Sequence, residues 1–429
     1  MIMTSYRQPG TILTDRTFTV PLDHARPDDA HIEIFAREIV ATDPAAADLA
    51  WLVYLQGGPG HGAHRPVGRE GWLDRALRDY RVLLLDQRGT GRSTPANRRT
   101  LTALGSPQAQ ADYLARFRAD SIIADAELIR PQVTGGAPWS ALGQSFGGFC
   151  TVAYLSQAPG GLREAFITGG LPGLQTTADD VYRQTYPAVA AKNRAHYERY
   201  PADIERARQV ARSLARQPAR LPGGMLLTVE AFQSLGLMLG SSSGSHTLHY
   251  LLEDPFAGAE LNDDFCSRVE VILSLASAPL YALLHEAEYS HGPATRWAAQ
   301  RVRAEFAEFD AARAIDGEEP LMFTGEMIYP WMFENDPVLV PLAEAATELA
   351  ERDGWPPLYD PARLAQNTVP AAAAVYFEDM YVPTVYSLQT AAAIRGLRPW
   401  VTNEYEHDGL RVSNGGVLDR LLGMVRGEI

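Results

Sequence analysis

Cysteine is nearly absent from this chain, and the two that occur, Cys150 and Cys266, are too few for a disulfide framework. A small cross-linked secreted scaffold is thereby excluded, and Cys150 reads as a small buried hydrophobe on a helix. Positive charge is also short: 38 Lys and Arg stand against 52 Asp and Glu, a net charge of −14. Phosphate binding needs a cationic face, so no nucleic-acid partner is expected. No apolar run approaches the roughly 20 residues that span a bilayer, so no membrane partner is expected either. Residues 1–10 hold no basic stretch followed by an apolar core, so no secretory signal is read there and a cytoplasmic location is expected. Internal repeats and low-complexity tracts are missing too. What is present is 429 residues, 46% hydrophobic and 21% charged, ordinary proportions for a globular protein. That length favours two domains, or one domain carrying a large insertion.

Three short apolar runs end in glycine-rich or charged turns. Residues 51–55 lead into Gln56-Gly57-Gly58-Pro59-Gly60, and residues 82–85 lead into Asp86-Gln87-Arg88-Gly89-Thr90-Gly91-Arg92-Ser93. Residues 137–142 lead into Gly143-Gln144-Ser145-Phe146-Gly147. Continuous apolar runs of this length suit strands buried on both faces of a parallel sheet. Between the second and third, residues 112–129 repeat apolar side chains at helical spacing, which makes a strand–helix–strand unit. Ligands bind at the carboxyl ends of such strands. Upstream, residues 18–22 and 31–40 alternate polar and apolar, as antiparallel strands at a sheet edge do.

After Gly169-Gly170-Leu171-Pro172 the pattern turns helical, with segments expected at 182–200, 204–215, 294–314 and 340–352. Sheet character returns only at 371–377 and 400–405. The expected class is α/β, with a mostly parallel sheet flanked by helices and a large helical cap inserted before the last strands. The expected division is 1–174 for the first part of the core, 175–365 for the cap and 366–429 for the second part of the core.

Gly143-Gln144-Ser145-Phe146-Gly147 is a G-x-S-x-G nucleophile elbow, which pushes the Ser145 hydroxyl out of a strand-to-helix turn. A serine nucleophile needs a base, and the base needs an acid to hold one tautomer. His407, in Glu406-His407-Asp408-Gly409 after the last strand, stands where the base belongs. The acid should follow the preceding strand, where Glu378 and Asp379 are adjacent and either could serve. Gly57-Gly58-Pro59-Gly60 supplies an oxyanion loop, with the backbone N–H groups of Gly58 and Phe146 as donors. Gly89-x-Gly91 lacks the third glycine of a dinucleotide loop and the Gly-Lys of a phosphate loop. His246-x-x-His249 with Glu253 lacks the companions of a zinc site. No cofactor and no metal are expected.

With these residues assembled, the chain resembles the prolyl aminopeptidase (proline iminopeptidase) family of serine peptidases, of the α/β-hydrolase fold. The resemblance rests on Gly57-Gly58-Pro59-Gly60, on the run from Asp86 to Ser93, and on Gly143-Gln144-Ser145-Phe146-Gly147-Gly148. Glu378-Asp379-Met380-Tyr381-Val382, Glu406-His407-Asp408-Gly409 and the opening Phe18-Thr19-Val20-Pro21-Leu22-Asp23-His24 complete it. Gln56 departs from the family, which commonly has histidine there. The resemblance implies release of N-terminal proline from peptides through an acyl-enzyme on Ser145. It favours Asp379 over Glu378, because D-x-x-x-P is the family's usual exit from this strand. It also implies cap carboxylates that hold the substrate's free amine, with Glu286 ranked first and Glu288 and Glu326 as further candidates. Tyr329, Trp331 and Phe333 could line an apolar slot for the pyrrolidine ring. The rival reading is a broader aminopeptidase, amidase or esterase on the same fold. A non-catalytic binding protein is disfavoured, since every element of the constellation occurs in order.

Overall fold

The computed structural model describes residues 3–429. Five apolar segments, buried along most of their length, form the middle of one nine-stranded sheet. In chain order the strands are β1 (Met3–Gln8), β2 (Thr11–Pro21), β3 (His31–Ala41), β4 (Ala50–Leu55) and β5 (Tyr80–Leu85). They continue with β6 (Trp139–Gln144), β7 (Leu162–Thr168), β8 (Ala371–Tyr376) and β9 (Leu397–Thr402). Their order across the sheet is β1-β2-β3-β5-β4-β6-β7-β8-β9. The pairs from β5 through β4 to β9 are all parallel, whereas β1, β2 and β3 form an antiparallel ribbon joined to β5. The chain runs outward from β4 in both directions, to β5 on one side and β6 on the other. That reversal leaves a crevice at the carboxyl ends of β4 and β6, the usual ligand position of an open parallel sheet.

Alternation along each strand divides the core into two layers. Val53 and Leu55 of β4 pack with α1 (Ala119–Thr134) and α2 (Phe146–Gln157), while Leu52 and Tyr54 face Leu418, Leu421 and Leu422 on the opposite side. The approach of α2 to β4 depends on glycine. A Cβ on Gly147 would lie 1.9 Å from the Leu55 carbonyl oxygen, so only glycine lets the helix reach the sheet there.

Between β7 and β8 the chain forms helices joined by loops, with two small hairpins, Ala219–Arg220 with Leu226–Leu227 and Phe256–Ala257 with Glu260–Leu261. Its longest helix is α3 (Ala178–Arg199). The buried side chains here form their own cluster, which includes Tyr182, Tyr186, Phe232, Phe265, Phe323 and Tyr329. A second cluster ties the segment to the sheet side, setting Leu280, Leu283 and Leu342 against Leu101, Leu114 and Phe117. No described helix is long and apolar enough to cross a membrane.

The structure departs from expectation in several places. β1 and β7 were not anticipated, and β9 begins three residues before the expected segment. The helix expected over 112–129 is two, Pro107–Leu114 and Ala119–Thr134. The break lets the buried Arg118 guanidinium reach the carbonyl of Ser290 at 2.6 Å. The expected helix at 294–314 is likewise three short turns rather than one rod.

Candidate active site

Ser145 joins β6 to α2 with φ 54° and ψ −124°, a conformation uncommon for a side chain other than glycine. Its own backbone is pinned on both sides. The Ser145 N–H donates to the Thr168 carbonyl at 2.9 Å, and its carbonyl accepts from Gly148 N–H at 2.7 Å. The side chain therefore projects at the carboxyl end of β6, beside the crevice. Phe146 opens α2, so its N–H has no acceptor within the helix and lies at the positive end of the helix dipole.

His407 follows β9 and is 8% exposed. Its Nδ1 stands 2.7 Å from Oδ2 of Asp379, which follows β8. The other carboxylate oxygen, Oδ1, accepts from the N–H groups of Tyr381 at 2.8 Å and Val382 at 3.1 Å. With Nδ1 donating to this anchored carboxylate, Nε2 is the ring nitrogen left to accept a proton. The Tyr381 ring stands edge-on to the imidazole, 4.8 Å between centroids. Gly169 backs the other side, where a Cβ would sit 3.0 Å from Nδ1. Glu378 instead points outward, its side chain 67% exposed, so the structure brings Asp379 and not Glu378 to the histidine. Burial lowers the His407 pKa, but the charge and hydrogen bond of Asp379 outweigh it, with help from Glu326 and Asp408, and the net shift is upward.

The loop after β4 closes against the serine. A Cβ on Gly57 would lie 3.0 Å from the Ser145 Cβ and 2.5 Å from Gln144 Oε1. Gln87 Nε2 donates to the Gln56 carbonyl at 3.0 Å and ties this loop to the one after β5. The Asp86-to-Ser93 run is a brace. Asp86 accepts from the N–H groups of Ala63 and Arg92, each at 2.9 Å, and Ser93 Oγ returns to the Asp86 carbonyl at 2.6 Å. Arg88, 1% exposed, spends its guanidinium on Asp125 and on the carbonyls of Leu22 and Arg116. A buried cation with that many partners is a structural hub, and none of its donors is left for substrate.

The three candidate carboxylates have different surroundings. Glu326 accepts from the Tyr281 hydroxyl at 2.8 Å, and its charge acts on His61, His285, Tyr289, Tyr381 and His407, so all of these share one neighbourhood. Glu286, ranked first from sequence, is committed elsewhere. Its two oxygens accept from Ala298 N–H at 3.0 Å and Ala299 N–H at 2.9 Å, capping the helix Ala298–Arg303. Glu288 is 2% exposed, and neither oxygen has a hydrogen-bond partner among the described residues. Burial pushes its carboxyl up to about 8, with Arg118 pulling only partly the other way.

The aromatics divide in the same way. Tyr329, wholly buried, bonds the Tyr186 hydroxyl at 2.9 Å, and Phe333 packs on Trp297. Both are packing residues, whereas Trp331 lines a small cavity with Glu326 and Tyr281. Tyr381 stands against the His407 ring, and Tyr289 and Phe149 stack edge to face 6.0 Å apart. Sequence reasoning missed them, although Tyr381 lies two residues after Asp379.

Residues 50–256 match the alpha/beta hydrolase fold family. A proline iminopeptidase of Aeromonas sobria is 52% identical over 410 residues, covering 95% of each chain. Proline iminopeptidase aneH of Aspergillus aculeatus is 34% identical over 439 residues, covering 99% of this chain and 96% of that one. Among solved structures, an acetylester hydrolase from Corynebacterium glutamicum covers 96% of either chain at 14% identity, with a TM-score of 0.44.

Proposed function

Because the chain belongs to the proline iminopeptidase family, we propose that it is a serine exopeptidase releasing N-terminal proline from peptides. One observation carries the mechanism: the 2.7 Å contact of His407 Nδ1 with Asp379, with the imidazole against Gly169 and Ser145 held by the adjoining Thr168 carbonyl. Ser145 Oγ attacks the prolyl carbonyl while His407 Nε2 takes its proton, and Asp379 holds the ring and stabilises the imidazolium. The N–H groups of Phe146 and Gly58 receive the developing oxyanion. His407 then returns the proton to the departing amine, leaving a prolyl ester on Ser145. A water, deprotonated by His407, attacks that ester and frees proline and the serine hydroxyl.

The substrate's secondary ammonium needs an anionic partner in a site with little water. Glu326 is that partner, since its carboxylate shares the His407 neighbourhood, whereas Glu286 spends both oxygens on Ala298 and Ala299 and Glu288 is 2% exposed. Tyr281, Tyr289 and Tyr381 enclose the pyrrolidine ring. In this reading residues 175–365 act as a cap that sets specificity, between core segments 1–174 and 366–429.

A panel of chromogenic aminoacyl amides and simple esters tests the assignment. Prolyl amide turnover should exceed alanyl, leucyl and ester turnover at least tenfold, and acylating the substrate amine should abolish it. Preference for esters or for blocked amines would overturn it.

A further inference from the structure

Among the 38 basic side chains, Lys192 is the only lysine. It stands on α3, its side chain 12% exposed, and it reaches out of the helical segment to two loops of the sheet. Its Nζ donates to both Glu406 oxygens at 2.7 Å and stands 3.4 Å from Glu378 Oε2. Glu406 directly precedes His407, and Glu378 directly precedes Asp379. One ammonium thus holds both loops that carry the proposed base and acid. A compact ammonium with three donors can sit between two carboxylates where a planar guanidinium would have to choose an orientation.

The charge balance around this point is one-sided. Asp379, Glu326 and Asp408 act on His407 from the β8 loop, the helical segment and its own loop, and the Tyr381 ring lies against it. Around Lys192 the neighbouring cavity, about 470 Å³, is lined by Glu378, Glu406, His196 and Arg199. Burial raises the Glu406 carboxyl, and Lys192 pulls it the other way.

We propose that Lys192 is a positioning residue: its ammonium clamps the Asp379 and His407 loops to the helical segment and balances the two carboxylates beside them. The proposal rests on the reading of Ser145, His407 and Asp379 as the reacting groups. Without Lys192, uncompensated negative charge beside the imidazole stabilises its protonated form, and the two loops lose their common anchor.

The test follows Ser145 itself, through the pH dependence of its labelling by a fluorophosphonate. That reaction needs neutral His407 but no recognition of proline. Lys192→Gln should move the acidic limb up by about half a pH unit and slow labelling at the plateau about fivefold. Glu406→Gln should move the limb the opposite way. Lys192→Gln/Glu406→Gln, which restores the net charge, should return it close to its starting position, and Lys192→Arg should leave it in place. An unmoved limb in Lys192→Gln, or shifts of the same sign in both single variants, would overturn the proposal and leave a surface tether. Should Lys192→Gln fail to fold, Glu406→Gln set against Lys192→Gln/Glu406→Gln decides: a limb lowered in the first and returned in the second supports the clamp, and equal limbs refute it. If the unaltered protein is not labelled at Ser145, the reading of the site fails with it. If labelling is normal but prolyl amides are poor substrates, only the specificity falls.

Discussion

While His407 is protonated, its Nε2 has no lone pair with which to take the Ser145 proton. The Asp379 contact holds the folded pKa above the ordinary 6.5, so kcat/KM for a prolyl amide should rise through an acidic limb lying above pH 6.5. A pH–rate profile at constant ionic strength checks this, and a midpoint below 6.5 contradicts it. Asp379→Asn removes the charge and leaves the ring free to adopt the wrong tautomer. It should lower kcat/KM by about 10³- to 10⁴-fold with an unchanged melting temperature. Glu378→Gln should lose less than tenfold, because its carboxylate faces outward. Ser145 and His407 were legible in the sequence because their neighbours announce them, the elbow in one case and the end of the last strand in the other. Asp379 was ambiguous, since strand geometry alone does not choose between adjacent carboxylates. Glu286 was ranked above Glu326, because the backbone at Ala298 and Ala299 that engages Glu286 is positioned only by the fold.

Elements were readable where burial acts on both faces. β4, β5 and β6 appear as unbroken apolar runs, and β8 as an alanine-rich one. β7 escaped notice because its first half, Leu162-Arg163-Glu164, carries two charged side chains, Arg163 exposed and Glu164 half-buried against Tyr80 and Ser140. The 112–129 helix reads as one piece from the spacing of Ile122, Ile123, Ala126 and Ile129, while the contacts of Phe117 and Arg118 that break it lie on distant segments. The junction of α2 with β4 gives an element-scale prediction. Gly147→Ala places a methyl against the Leu55 carbonyl, so the helix must move and carry Ser145 and Phe146 with it. Stability should fall by about 1–3 kcal/mol, read from denaturant midpoints, with labelling of Ser145 slowed at least tenfold. An alanine variant as stable and as reactive as the parent would show that the contact is not tight.

Across the whole molecule, the helical segment meets the sheet side through a layer that includes an uncompensated acid. Glu288 lies there beside Arg118 and the start of α1. Its folded pKa, raised from 4.5 to about 8, makes the neutral form the native one. The stability this gives is fully present below pH 4.5 and is lost as pH rises through about 8, since the unfolded chain ionises freely. Glu288→Gln cannot ionise, so it should gain a few kcal/mol relative to the parent between pH 5 and 9. Thermal melts across that range would show the two curves diverging, and parallel curves would mean that Glu288 is paired. The α/β class and the helical insertion were apparent from the order of apolar runs. How the helices meet the sheet was not, because cross-segment contacts leave no local pattern.

The strand that escaped notice has a consequence of its own. β7 contributes no reacting group, yet its terminal carbonyl on Thr168 fixes the backbone of Ser145, and the next residue, Gly169, presses on the imidazole of His407. Two consecutive residues thus gauge the spacing between nucleophile and base, whose own segments are separated by the entire insertion. Recombining the insertion with that of a relative, as an engineer seeking new specificity would do, leaves this gauge intact so long as the splice falls after Gly169. A splice one residue earlier would change the gap between the two groups, whatever pocket the new helices brought.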